Sequence, residues 1–150
     1  MIVVDLNLLL YSINEDAPDH DRARKWWEGL VNGEQAVGLA WMVVVGFLRV
    51  STHPRVLPRP IDHTVALSLV DEWLSRPQVQ PIHPTARHWR ILQELLKPLS
   101  VAGNLTSDAH LAALAIEHGA SLHSADNDFA RFPRLNWVNP LVEGLENKPS

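Results

Sequence analysis

Hydrophobic positions along the chain switch repeatedly between short continuous runs and stripes spaced three and four residues apart. The runs at residues 2–4, 36–39, 79–82, 121–123 and 136–138 predict five short strands. Between them lie stripes with helical spacing. A short helix is expected directly after the first strand. A second stripe passes through Arg22, Ala23, Trp26, Trp27 and Leu30 after Pro18-Asp19 and stops near Asn32-Gly33, as helices commonly do before glycine. Residues 41–50 form a third. Asp62 opens a fourth through Leu67, Val70 and Leu74, which Pro77 closes. Thr85 opens a fifth through Trp89, Leu92 and Leu96, and residues 104–118 form a sixth, rich in Ala and Leu. A Pro-rich loop covers residues 53–60. Alternating strands and helices predict a three-layer α/β domain, with a mainly parallel central sheet flanked by helices. One domain is expected over residues 1–141, followed by a polar tail at 142–150, with no internal repeat.

Three carboxylates fall at strand ends or at a helix start. Asp5 closes the first strand and precedes Leu6-Asn7. Desolvating a carboxylate is expensive unless something pairs with it, and the carboxyl ends of strands in α/β sheets are where ligands bind. Helix capping by Asp5 or Asn7 accounts for the same residues equally well. Asp108 lies on one stripe with Leu111, Ala112 and Ala115. It is either a first-turn acid favoured by the helix dipole or a ligand. Asp126 follows the strand at 121–123 and so repeats the position of Asp5. Singly, each has an ordinary explanation; convergence on one sheet edge would not. Such clustering would also raise at least one carboxylate pKa, because like charges disfavour ionising together.

The ordered set of Asp5-Leu6-Asn7, Trp41 through Gly46-Phe47-Leu48-Arg49-Val50, Ser107-Asp108-Ala109-His110-Leu111-Ala112-Ala113 and Ser124-Ala125-Asp126-Asn127-Asp128-Phe129 resembles PIN-domain ribonucleases. It is most similar to the VapC toxins of bacterial type II toxin–antitoxin pairs, over nearly the whole chain. The resemblance implies a metal-dependent endoribonuclease that cuts structured RNA, such as transfer or ribosomal RNA. Asp5, Asp108 and Asp126 would be the catalytic and metal-holding residues, with Mg²⁺ or Mn²⁺ as the hard ion that oxygen ligands suit. Asn7 would orient Asp5 or a bound water. A VapB-like antitoxin would be the inhibitor and a homodimer the assembly. One position departs from the family: its usual helix Glu is matched here by Gly46, within a Gly-Phe-Leu-Arg variant. Asp128, Asn104 and Glu117 are candidate replacements. A degenerate domain that binds RNA or antitoxin without cutting is therefore the alternative. A phosphatase of the haloacid-dehalogenase type also begins with Asp after strand one. It would need a second Asp where Asn7 stands.

A net charge of −4 runs against a nucleic-acid binder, although local basic arrays can still bind phosphate. The candidate arrays are Arg22-Ala23-Arg24-Lys25, then Arg49, Arg55 and Arg59, then Arg87 and Arg90, then Arg131 and Arg134. Arg49 extends an apolar helix and belongs to the family motif, so it is a phosphate contact or a structural ion-pair partner. At 150 residues and 46% hydrophobic content the chain can bury about two-thirds of its unfolded surface as one domain. The absence of cysteine excludes disulfides and fits a reducing cytoplasm, the expected location. No signal peptide or membrane span is expected, since no apolar stretch approaches the ~20 residues that a span requires.

Six tryptophans could stack on nucleic acid. Trp26, Trp73 and Trp89 fall on apolar stripes and Trp41 opens one, so core or interface packing is the expectation for most. Trp26 and Trp27 cannot face the same way on a helix, so one of them is expected to meet a partner. Eight histidines carry no HExxH or HxH pattern and do not predict zinc, and His110 and His118 are expected on a helix surface. Apolar surface around Trp41 and Trp26-Trp27 predicts two-fold self-association. An antitoxin segment is expected near the same helices, placing an Arg beside Asp5 and Asp108 through the space left by Gly46.

Overall fold

A computed structural model describes residues 1–142. All of the expected polar tail except Val142 lies outside the described residues. Five strands form one sheet: β1 (Ile2–Val4), β2 (Val37–Ala40), β3 (Val79–Ile82), β4 (Ser121–His123) and β5 (Trp137–Val138). Their spatial order is β3-β2-β1-β4-β5, and every neighbouring pair is parallel. Six α-helices cover it: α1 (Leu6–Ile13), α2 (His20–Val31), α3 (Trp41–Ser51), α4 (His63–Leu74), α5 (His88–Leu96) and α6 (Thr106–Glu117). Two 3₁₀ turns, Gly103–Leu105 and Asn127–Arg131, complete the order. Among the described residues no helix is long and apolar enough to cross a membrane.

This order places the site. From β1 the chain moves outward to β2 and β3, then returns to lay β4 on the other side of β1. A reversal of this kind opens a crevice beyond the carboxyl ends of the two strands involved. Pairing persists to that edge, where Asp5 N–H donates to the His123 carbonyl at 3.0 Å. Beneath the crevice Val3, Val4, Leu8, Leu9, Leu39, Phe47, Leu122 and Phe129 are fully buried. Pro81 sits in β3, which among the described residues pairs only with β2, the edge position where a missing N–H is tolerated.

Helix α6 is the most deeply embedded helix, with Ala109 and Leu111 through Ala115 all buried. Its polar side chains therefore concentrate at its two ends. At the carboxyl end Gly119 adopts φ +63°. Gly119 N–H returns to the Ile116 carbonyl and Ala120 N–H to that of Ala115. This is the Schellman closure that only a residue at ease in the left-handed region supports, and it turns the chain straight into β4.

Several sequence expectations are corrected in detail. Asn104 belongs to the 3₁₀ turn, and α6 proper starts at Thr106. Thr85 stands three residues before α5, where its hydroxyl accepts from Arg87 N–H at 3.2 Å. Trp89 is 66% exposed, because α5 buries the stripe through Ile91 and Leu95 and not the one that starts at Trp89. The Trp26 and Trp27 rings do face different ways, as expected. Trp27 is buried edge-on against Trp73 at 5.3 Å, and half-buried Trp26 stacks on His123 at 5.7 Å.

Candidate active site

Asp5 shows that capping and site roles are not exclusive. Its backbone is extended, as an N-cap requires, and its Oδ1 accepts the Leu6 N–H at 2.7 Å. The other oxygen, Oδ2, accepts the Ser124 hydroxyl at 2.7 Å. Ser124 is fully buried and its single oxygen is saturated. It donates to Asp5 and accepts from Asn7 Nδ2 at 3.2 Å and from Asp126 N–H at 3.0 Å. Asn7 Oδ1 in turn accepts Ala125 N–H at 3.3 Å. Asn7 thus reaches Asp5 indirectly, its amide Nδ2 donating to the Ser124 hydroxyl that in turn holds Asp5. Sequence reasoning gave Ser124 no site role, although it opens the Ser124-Ala125-Asp126 segment on which the family resemblance partly rests.

Asp126 and Asp128 belong to the turn that follows β4. Asp126 caps this 3₁₀ turn by accepting Asp128 N–H at 2.9 Å. Asp108 comes from the opposite side, in the first turn of α6. Carboxylate oxygens of Asp108, Asp126 and Asp128 all lie within 4.8 Å of one another. Asp5 adjoins this trio closely enough to repel both Asp108 and Asp126. Burial pushes the Asp108 carboxyl up to about 6, with further increments from Asp126, Asp5 and Asp128. That net rise survives the helix N-terminus, which favours the anion. Burial also raises Asp5, opposed by its bonds from Ser124 and Leu6.

The three candidate replacements for the missing helix acid separate cleanly. Asp128 joins the cluster. Asn104 is exposed on its turn and its side chain makes no hydrogen bond among the described residues. Glu117 lies nine residues beyond Asp108, about 13 Å along the helix, and is committed elsewhere. Its carboxylate accepts Thr85 N–H and His88 Nδ1–H. His88 Nε2 meets His110 Nδ1 at 2.9 Å, so His110 is drawn into this network and is not a free surface residue. Nor does Gly46 leave a vacancy: a Cβ there would stand 2.9 Å from Leu6 Cδ2. Leu6 fills the space expected to admit an antitoxin side chain.

Half of the candidate basic residues are paired with carboxylates. Arg24 pairs with Glu28, Arg59 with Asp16, and both Arg90 and Arg134 with Glu94. Arg131 Nε stands 3.5 Å from Asp128, within the site itself. Arg49 is exposed on the last turn of α3 and forms no ion pair among the described residues.

An all-carboxylate, partly buried donor set whose members repel one another fits a hard divalent cation, which would discharge the repulsion that raises Asp108. Comparison with known proteins agrees. A family model described as PIN domain matches residues 2–135. "Ribonuclease VapC33" of Mycobacterium tuberculosis is 46% identical over 95% of this chain and 100% of its own length. "Ribonuclease VapC37" of the same organism is 40% identical over 93% and 97%. Among solved structures, a chain of VapBC2 from Rickettsia felis, bound to a DNA fragment from its promoter, superposes with a TM-score of 0.65. It has 24% identity, over 93% of this chain and 98% of that one. A chain of FitAB bound to IR36 DNA gives 0.65 at 18% identity, over 95% and 96%. At those identities the structures speak for the fold.

Proposed function

The chain belongs to the PIN-domain family, among the VapC ribonucleases, and we propose that it is the toxin of a type II toxin–antitoxin pair, a Mg²⁺- or Mn²⁺-dependent endoribonuclease acting on structured RNA in the cytoplasm. One observation carries this reading: Asp5, Asp108, Asp126 and Asp128 converge from three separate segments on the crevice between β1 and β4. Asp108, Asp126 and Asp128 would hold the ion, with Asp5 as a further ligand or the holder of a bound water. When bound, the ion supplies an activated water and neutralises charge on the phosphodiester as the leaving oxygen departs.

The chain's own groups do the rest. Ser124 fixes Asp5 and the start of the Asp126 turn through one hydroxyl, so the two strand ends keep their spacing. Asn7 holds that hydroxyl's direction. Asp108 must shed its proton before it can ligate, so ion binding weakens as pH falls through about 6 and below. Asp128 takes over the charge that the helix Glu supplies elsewhere in the family. Arg49 is left to contact phosphate.

A VapB-like antitoxin is the proposed inhibitor, following the names of the relatives. With Leu6 packed over Gly46, an inhibitory Arg would approach from the open side, at Asp128. A homodimer is proposed through the aliphatic part of the α3 face, where Met42 and Val45 are exposed. The test is cleavage of a structured RNA by the purified toxin with Mn²⁺, with and without chelator. Cutting that requires the ion and is lost in Asp108→Asn supports the reading. Tight RNA or antitoxin binding with no cutting in any divalent ion would establish the non-cleaving alternative.

A further inference from the structure

Two exposed rings occupy the same sheet edge as the acids. The β2–β3 register sets Ala40 against Ile82, so the next residues of each strand, Trp41 and His83, emerge side by side. Their ring centroids are 6.5 Å apart, tilted by 43°. Trp41 is 46% exposed although it follows a strand with every residue buried. His83 is exposed too, and its backbone is anchored because its carbonyl accepts His118 Nε2–H at 2.8 Å. Extending the β1–β2 register by two residues sets Asp5 against Ala40. Neighbouring strands are about 5 Å apart, so Trp41 stands one strand from the acids and His83 two.

The electrostatics leave such a surface with work to do. The chain carries net charge −4, and its acids gather where a scissile phosphate would sit. Arg24, Arg59, Arg90, Arg131 and Arg134 are spent on carboxylates. With half of the candidate cations paired, contacts indifferent to phosphate charge would add affinity that Arg49 and the other remaining cations do not supply alone. Stacking of bases on aromatic rings is such a contact, sequence-tolerant and worth about 1–3 kcal/mol per base. Both rings are held on rigid strand ends, so little ordering is lost on binding. We propose that Trp41 and His83 form a stacking platform for an unpaired RNA base beside the phosphate held at the acid cluster. This rests on the ribonuclease reading and adds a substrate feature to it: the cut lies next to a nucleotide free to unstack. A second copy of the chain is the weaker occupant. It would gain more from aliphatic Met42 and Val45 further round α3 than from a pair of rings beside histidines.

The test measures binding of a short unpaired oligoribonucleotide to protein carrying Asp108→Asn, which prevents cutting, by anisotropy and tryptophan fluorescence. Adding Trp41→Ala should weaken binding roughly five- to a hundredfold, and Trp41→Phe should restore most of it. Trp89→Ala removes a more exposed ring with no ring contact among the described residues, and should change affinity less than about twofold. The oligomeric state of each variant is followed by light scattering. Unchanged affinity in Trp41→Ala, an equal loss in Trp89→Ala, or failure of Trp41→Phe to rescue would overturn the platform. So would a fall in oligomeric mass in Trp41→Ala, which would put the ring under a second copy. Wild-type protein that binds through Trp41 yet never cuts with Mn²⁺ would sink the nuclease reading alone.

Discussion

Asp108 in the first turn of α6 and Glu117 in its last are carboxylates on one helix, yet their surroundings are opposite. Glu117 is buried and supplied with donors, from Thr85 N–H and His88, while Arg87 donates to its carbonyl at 2.6 Å and completes the helix end. Asp108 faces three other acids and receives no hydrogen bond among the described residues. One end of the helix satisfies its charge and fastens α5 to α6. The other leaves charge unsatisfied, against the stability of the fold. A repulsive cluster persists in a folded protein when something outside the chain completes it.

The largest effect should come from exchanging that unsatisfied charge. Asp108→Asn is expected to lower RNA cleavage by about a hundredfold or more, on the scale of deleting a group that organises charge in the transition state. The same variant should leave the ion-free protein at pH 7.5 as stable as wild type or more so, because a repulsion is removed. Loss of both activity and Tm would mean that Asp108 is structural, and the contrast would fail. Glu117→Leu should do the reverse. Removing the acid strands the Thr85 and His88 donors and should cost about 2–4 kcal/mol in chemical denaturation, while the surviving folded fraction keeps its specific activity.

A smaller effect tests the missing helix acid. Gly46→Glu brings back the family's residue but sets its Cβ against Leu6. Overpacking of that kind costs about 1–3 kcal/mol. Activity should not rise in Gly46→Glu alone, and the lost stability should return when Leu6→Ala is added. A gain in cleavage by the single variant would show that Asp128 does not fill the role assigned to it.

The smallest effect is the pH dependence of the ion-free fold. Asp108 has a folded-state pKa raised from 3.8 to about 6, so between those values the folded form holds a proton that the unfolded chain has lost. The stability this group contributes is therefore fully present below about pH 4 and disappears as pH rises through 6. Comparing wild type with Asp108→Asn isolates it: the wild-type Tm, relative to the variant, should fall between pH 5 and 7.5. A relative rise over that range would contradict the raised pKa.

The sequence carried the fold well because periodicity reports burial directly. Strands and helices fall within a few residues of where the pattern predicts them, and the strand-end placement of Asp5 and Asp126 follows from alternation alone. What it concealed were contacts that exist only after folding. The Ser124 hydroxyl joins Asp5 across 119 positions, and a serine two residues before an aspartate looks ordinary in one dimension. Glu117 and Asp128 were equal candidates until helix length placed one far from the cluster and a 3₁₀ turn placed the other within it. Trp89 misled because its stripe is rotated by a single residue from the one that α5 buries. Gly46 suggested space because a sequence shows which side chain is absent, not which neighbour has moved in.

Whether the acid cluster holds a divalent ion is decided by titrating Mn²⁺ into the purified protein. A saturable site is expected in wild type at pH 7.5 that weakens as pH falls through about 6, because the ion must displace the Asp108 proton. That site should collapse in Asp108→Asn and weaken in Asp128→Asn, and should be unchanged in Glu117→Gln. Binding that survives Asp108→Asn, or that is lost only with Glu117, would contradict that assignment.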